Sequence, residues 1–198
     1  MKKIAILFPT YTEAKYFNRE NVICRFTGVG ISSAAYATYK TIVEDRPDVI
    51  IMCGIAGVYA GSKFKKYESV LVRREHEADC GFFTKDGYKH LSDLNLDMSF
   101  EVILYLDCPY VKKEMPLPLA VANTMNSALS PYVNTKSVDV ESMEGFPFFY
   151  TCLKENVEFY ELRTISNSVD VEDEDWDYDT SLQNMTSALN ILIDFLIK

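Results

Sequence analysis

The chain has 198 residues, a mass of 22.6 kDa and a formal net charge of −9, a length that fits one domain spanning 1–198 with a real core. Hydrophobic residues make up 48% and charged residues 25%, which is a globular balance and excludes disordered, collagen-like and coiled-coil chains. The acidic balance, with a pI near 4.8, argues against nucleic acid or an anionic membrane as partner.

The opening run Ile4 to Phe8 reads as a buried strand, stopped by Pro9. It is too short for a secretory leader, and no stretch approaches a membrane span. Glu13 follows as the nearest charged group. Such a carboxylate is placed to act as a general base; on spacing alone the reading as a solvated first-turn residue prevails. Val22 to Phe26 reads as a second strand. It leads through Gly28-Val29-Gly30 into a helix over about 32–44. Ser33 stands where a dinucleotide fingerprint needs its third glycine, so NAD binding is rejected.

Val49 to Cys53 is an aliphatic strand, and Gly54-Ile55-Ala56-Gly57 reads as a small-residue turn after it. Cys53 is one of five scattered cysteines, without a CxxC pair and with only two histidines. That pattern argues against zinc and disulfides and for a reducing cytoplasm. Further strands are expected near 70–73, 119–122 and 159–165, and helices over 142–155 and 178–197. The stretch 87–111 carries weak signals. Apolar strands alternating with helices predict an α/β fold: three layers, α/β/α, around a twisted, mostly parallel central sheet. Ligands bind beyond the carboxyl ends of such strands.

Two of those ends carry further chemistry. Glu141 and Glu144 lie three residues apart, read as a helix's first turn; they suit paired ribose hydroxyls or simple capping. Arg163 falls inside a strand and needs a carboxylate partner, Glu141 or Glu13. Asn167 ends that strand. Beyond it, residues 170–179 hold seven acids in ten positions around Trp176. They read as a solvated loop or as a lid with Trp176 folding over a ligand.

Gly54-Ile55-Ala56-Gly57, Ala78-Asp79-Cys80-Gly81, Asn123-Thr124, Glu141-Ser142-Met143-Glu144-Gly145 and Arg163-Thr164-Ile165-Ser166-Asn167 stand in an order and spacing that resembles the purine nucleoside phosphorylase and methylthioadenosine nucleosidase superfamily. Within it, the closest subgroup is the futalosine hydrolases of an alternative menaquinone pathway. The resemblance implies cleavage of a purine nucleoside's N-glycosidic bond, with no metal and no organic cofactor. It implies that Glu13 activates water, Arg163 positions that water, and Asn167 reads the base. It further implies that Met143 and Glu144 hold the ribose, with Ile55, Ala56, Gly57 and Trp176 against the substrate. A homo-oligomer, dimer or larger, is implied by analogy.

Asn167 stands where adenine-specific relatives carry Asp. An Asp carboxylate would meet the carbonyl of hypoxanthine acceptor to acceptor, whereas Asn offers N–H donors. The resemblance therefore points to a 6-oxopurine, futalosine first. Inosine or methylthioadenosine cleavage and a non-catalytic nucleoside binder remain as alternatives. The turn after Cys53 lacks the arginine with which small phosphorylases clamp phosphate, so water is the expected nucleophile. Ile55 replaces a serine common in methylthioadenosine nucleosidases, and the chain is short between Leu91 and Pro118.

Overall fold

The computed structural model describes residues 2–94, 104–128, 130–169 and 178–198. In chain order its strands are β1 (Ile4–Phe8), β2 (Ile23–Phe26), β3 (Val49–Val58), β4 (Ser69–Glu77), β5 (Gly81–Thr84), β6 (Gly87–His90), β7 (Tyr105–Asp107), β8 (Leu119–Thr124), β9 (Val140–Ser142) and β10 (Glu158–Ser168). Its α-helices are α1 (Ile31–Asp45), α2 (Gly145–Glu155) and α3 (Tyr178–Leu196).

β1 is buried along its whole length, as its unbroken apolar run predicts for a strand covered on both faces. Ala5 and Leu7 face one side, where they join Ala34 and Ile42 of α1 and Phe146, Phe149 and Cys152 of α2. Ile4, Ile6 and Phe8 face the other side. There they meet Leu182, Met185, Leu189, Leu192 and Leu196, the helically spaced stripe of α3. None of the described helices is long and apolar enough to cross a membrane.

The sheet is mixed. β2, β1 and β3 run parallel in that order, and β10 lies parallel to β3. β10 pairs antiparallel with β4, β4 parallel with β8, and β8 parallel with β9. β9 then returns antiparallel to β3. The strands β3, β10, β4, β8 and β9 therefore form a closed ring, with β1 and β2 as an open wing. The expectation of a mostly parallel sheet misses this closure and three antiparallel pairings, β10–β4, β3–β9 and β4–β7. β9 is only three residues long, too short to show a period. The weak stretch 87–111 opens with β6 and also holds β7; β6 pairs with β5 just ahead of it in a hairpin.

Two element boundaries differ from the sequence reading. Gly54 to Gly57 is no turn: β3 continues through it, paired with β10 throughout. Glu141 and Ser142 belong to β9, and α2 begins only at Gly145 with Glu144 as its N-cap. Pro147 then falls in the first turn of α2, where its missing N–H costs nothing.

Candidate active site

A cavity of about 510 Å3 opens at the carboxyl ends of β1, β3, β9 and β10, within the range usual for small-molecule sites. Thr10 and Glu13 reach it from the turns after β1, and Ile55, Ala56 and Gly57 from β3. Glu141, Met143 and Glu144 form a second wall, Ser166 and Asn167 a third, and Tyr178 and Leu182 of α3 a fourth. Of the residues singled out from the sequence, Arg163 stands behind the wall rather than on it. Trp176 and most of the acidic run lie outside the described residues.

Glu13 is buried among turns rather than at a helix start. Its Oε1 accepts the Ile55 N–H at 3.0 Å and its Oε2 accepts the Thr10 hydroxyl at 2.7 Å. Burial raises its pKa above the ordinary 4.5; those two bonds and Arg163 pull it down, and Glu144 pushes it up again. Gly54 makes this approach possible. A Cβ there would lie 2.5 Å from Arg163 Nη1 and 2.9 Å from Glu13 Oε1, so any side chain would separate the two.

Arg163 is fully buried. Its Nε donates to Glu161 Oε1 at 2.7 Å and its Nη1 to Glu144 Oε2 at 3.2 Å. Nη1 also reaches the Ile55 carbonyl at 3.3 Å. Its bonded partners are therefore Glu161 and Glu144, not Glu141 or Glu13, although Glu13 lies close enough to feel its charge. Burial opposes its charge, but Glu161 and Glu144 outweigh that and raise its pKa. Glu144 completes the link by accepting the Gly30 N–H at 3.0 Å, at the positive end of α1.

Asn167 owes its aim to a bulge. β10 pairs Ile165 with Ala56 and Asn167 with Gly57, leaving Ser166 extra. Strict alternation would send Ser166 and Asn167 to opposite faces; with the bulge both line the cavity. The Ser166 hydroxyl donates to Asn167 Oδ1 at 2.9 Å. The amide oxygen is thereby engaged, and the Nδ2 hydrogens donate, one of them to the Ser168 carbonyl at 3.3 Å.

Glu141 Oε2 accepts the Tyr59 hydroxyl at 2.8 Å; Tyr59 in turn accepts from Asn123 Nδ2 at 3.1 Å. His76 Nδ1 donates to Asn123 Oδ1 at 3.2 Å. This relay leads to a second cavity of about 290 Å3, lined by His76, Tyr88, His90, Tyr132 and Lys136 among others. Sequence reasoning missed Thr10, Ser166 and Glu161. The Thr10-x-x-Glu13 spacing could have flagged the first; Glu161 reads as an ordinary strand acid.

Fold and site together define an α/β protein in which buried carboxylates, an amide and an enclosed arginine gather at strand ends around a small-molecule cavity. The chain belongs to the phosphorylase superfamily, whose family model matches residues 7–198. No curated protein sequence matches it significantly. Among solved structures, a mutant Helicobacter pylori methylthioadenosine nucleosidase with 5′-methylthioadenosine in its active site shares the fold at a TM-score of 0.76 and 16% identity, over 98% of this chain and 99% of that one. Helicobacter pylori futalosine hydrolase shares it at a TM-score of 0.76 and 16% identity, over 98% of each chain. The Neisseria meningitidis methylthioadenosine/S-adenosylhomocysteine nucleosidase bound to methylthio-immucillin-A gives 0.74 and 15%, over 98% of this chain and 100% of that one.

Proposed function

We propose that the protein hydrolyses the N-glycosidic bond of a 6-oxopurine nucleoside, with futalosine the favoured substrate and hypoxanthine the released base. The observation that carries this reading is the make-up of the larger cavity's lining. Glu13, Glu141, Glu144 and Asn167 converge on it, and no Lys or Arg is among the described residues that line it. A phosphorolytic site needs cations to clamp phosphate; a wall without them suits water.

In the proposed reaction the bond from C1′ to the purine nitrogen breaks as the ribosyl ring gains oxocarbenium character. The bonding electrons leave with the base, which takes up a proton from solvent. Asn167 stabilises that charge through its N–H donors, already oriented by Ser166. Glu13 takes one proton from a water, and the hydroxyl oxygen bonds C1′. Its burial makes it a stronger base than an exposed carboxylate. Glu141 and Glu144 accept the ribose hydroxyls, with Met143 packed beneath, and fix the ring's orientation. Arg163 acts through Glu13 and Glu144, holding both carboxylates in place. A homo-oligomer, with a neighbouring copy near the 5′ end of the substrate, is part of the same reading.

The second reading is an adenine nucleosidase acting on methylthioadenosine, the ligand held by one of the structural neighbours. The orientation of Asn167 favours the keto base. Incubation with futalosine, inosine and methylthioadenosine, with and without phosphate, decides between them. Hypoxanthine freed from futalosine without phosphate is the expected result. Adenine release alone, or strict phosphate dependence, overturns the proposal, and no release from any nucleoside leaves a binding protein.

A further inference from the structure

Behind the cavity wall, inside the closed ring, lies a carboxyl pair that the proposed reaction does not use. Glu75 on β4 and Glu161 on β10 are both fully buried. Glu75 reaches the interior through a bulge. β4 pairs Val72 with Ala120 and Arg74 with Val121, leaving Arg73 extra. Val70 and Val72 face the core, so strict alternation would send Arg74 inward next. The extra residue sends Glu75 in its place. Arg74 stays outside, bonded through Nε and Nη2 to Asp107 at 2.7 and 2.8 Å.

The pair is bonded at its outer ends. Glu75 Oε2 accepts the Thr124 hydroxyl at 2.7 Å, and Thr124 accepts the Phe146 N–H at 2.7 Å. Glu161 Oε1 accepts Arg163 Nε. The other two oxygens, Glu75 Oε1 and Glu161 Oε2, are buried and have no partner between carboxylates treated as acceptors. Both side chains crowd Gly145. A Cβ there would collide with Glu75 Oε1 and lie 2.7 Å from Glu161 Oε1.

Charge counting shows what is missing. Four buried carboxyls, those of Glu13, Glu75, Glu144 and Glu161, surround one cation, Arg163. Fully ionised, the cluster would hold three uncompensated charges away from water, a cost that proteins avoid by keeping protons. Glu144 and Glu161 bond the arginine directly, and Glu13 lies beside it with two donors. Glu75 alone has only a neutral hydroxyl. The Glu75 and Glu161 carboxyls lie within hydrogen-bond reach of each other, so a single hydrogen shared between them gives the pair the partner it lacks.

We propose that Glu75 is a neutral carboxylic acid that donates its proton to Glu161 and thereby locks Arg163, making Glu75 a positioning residue for chemistry at Glu13 and Glu144. The catalytic half of this statement rests on the nucleosidase reading above; the shared proton does not. Burial first, and the charge of Glu161 second, push the Glu75 carboxyl well above its ordinary range. The other titratable groups facing the pair and its arginine are Glu13 after β1, Cys53 on β3, Glu144 ahead of α2 and Cys108 after β7. When alkali removes the proton, two carboxylates face each other and the grip on Arg163 loosens.

Infrared difference spectra of the wild type against Glu75→Gln test the proton directly and need no substrate. The expected result is the carbonyl stretch of a buried carboxylic acid at neutral pH, present in the wild type and lost in the variant; its absence overturns the proposal. Turnover tests the positioning role. Glu75→Leu is expected to lose about 10- to 100-fold in kcat, the size of loss that follows removal of groups orienting the ligands of metal sites. Glu75→Gln, which keeps a donor facing Glu161, should restore turnover and abolish the alkaline fall of kcat. If Glu75→Gln is as damaged as Glu75→Leu, or its alkaline limb is unchanged, the positioning role is wrong. A wild type that shows the band but cleaves no nucleoside would sink the nucleosidase reading and leave the shared proton standing.

Discussion

The two cavities are joined by one relay and built on opposite principles. In the smaller one, polar groups answer one another locally. His90 Nε2 donates to the Glu77 carbonyl at 2.8 Å and its Nδ1 meets the Ser92 hydroxyl at 2.7 Å. Asn123 takes a hydrogen from His76 and gives hydrogens to Tyr59 and to the Asn134 carbonyl. In the larger one, carboxylates of like charge crowd a single buried arginine, glycine removes the side chain that would part them, and a bulge turns an amide inward. Local consistency is the default for a folding sequence, and departures from it concentrate at sites of function. A void alone therefore identifies nothing; the histidines and Asn123 of the second cavity are bonded within its own walls.

Substitutions sharpen that contrast. The largest effect is expected at Glu13. Glu13→Gln keeps the shape and should cost about 100- to 10,000-fold in kcat, the worth of a positioned base, with the melting temperature little changed. The same group sets an acid limit. The base works ionised and its folded pKa lies above 4.5, so kcat should fall, as pH drops, at a higher pH than an exposed glutamate would give. A limb at or below the ordinary value would remove Glu13 from the role.

Arg163→Met should follow. It strands Glu161 and Glu144 without their cation, and breaking a buried pair costs about 3–5 kcal/mol, measurable by denaturant unfolding. An unchanged midpoint would place the arginine outside the cluster's energetics. Asn167→Asp should be smaller in rate and visible in choice. It sets a carboxylate against the keto oxygen, and about 1–3 kcal/mol of preference should move from 6-oxo to 6-amino nucleosides, read from paired kcat/KM values. His76→Ala should be smallest, losing the bond to Asn123, about 0.5–1.5 kcal/mol of stability, with turnover near wild type. A large loss of turnover there would make the second cavity part of the site.

Much of this was legible in sequence where signals were long or chemically distinctive. The apolar run of β1 and the helical stripe of α3 needed only periodicity. Glu13, Glu144 and Asn167 stood out as polar groups near strand ends, and all three reach the larger cavity. Gly54 to Gly57 misled because clustered glycines usually mark turns. Here they mark a strand that other side chains cross: Arg163 and Glu13 over Gly54, Val169 and Asn167 over Gly57. β9 was hidden by its brevity and by the capping pattern of Glu141 and Glu144. Glu161 and Glu75 were invisible because an acid in a strand reads as exposed until a ring closes around it. Bulges defeat period-2 reading in the same way, since one extra residue reverses every side chain beyond it.

The ring also dictates when the protein can work. β10 is the strand that links β3 to β4, and it carries Arg163 and Asn167. During synthesis a nascent chain can emit β1 to β9 and still possess neither the guanidinium nor the amide. The open barrel wall has no substitute for them, and its long-range pairing is the slow kind. Chains released early from the ribosome are thus expected to be inert rather than weakly active, which spares the cell a half-built site.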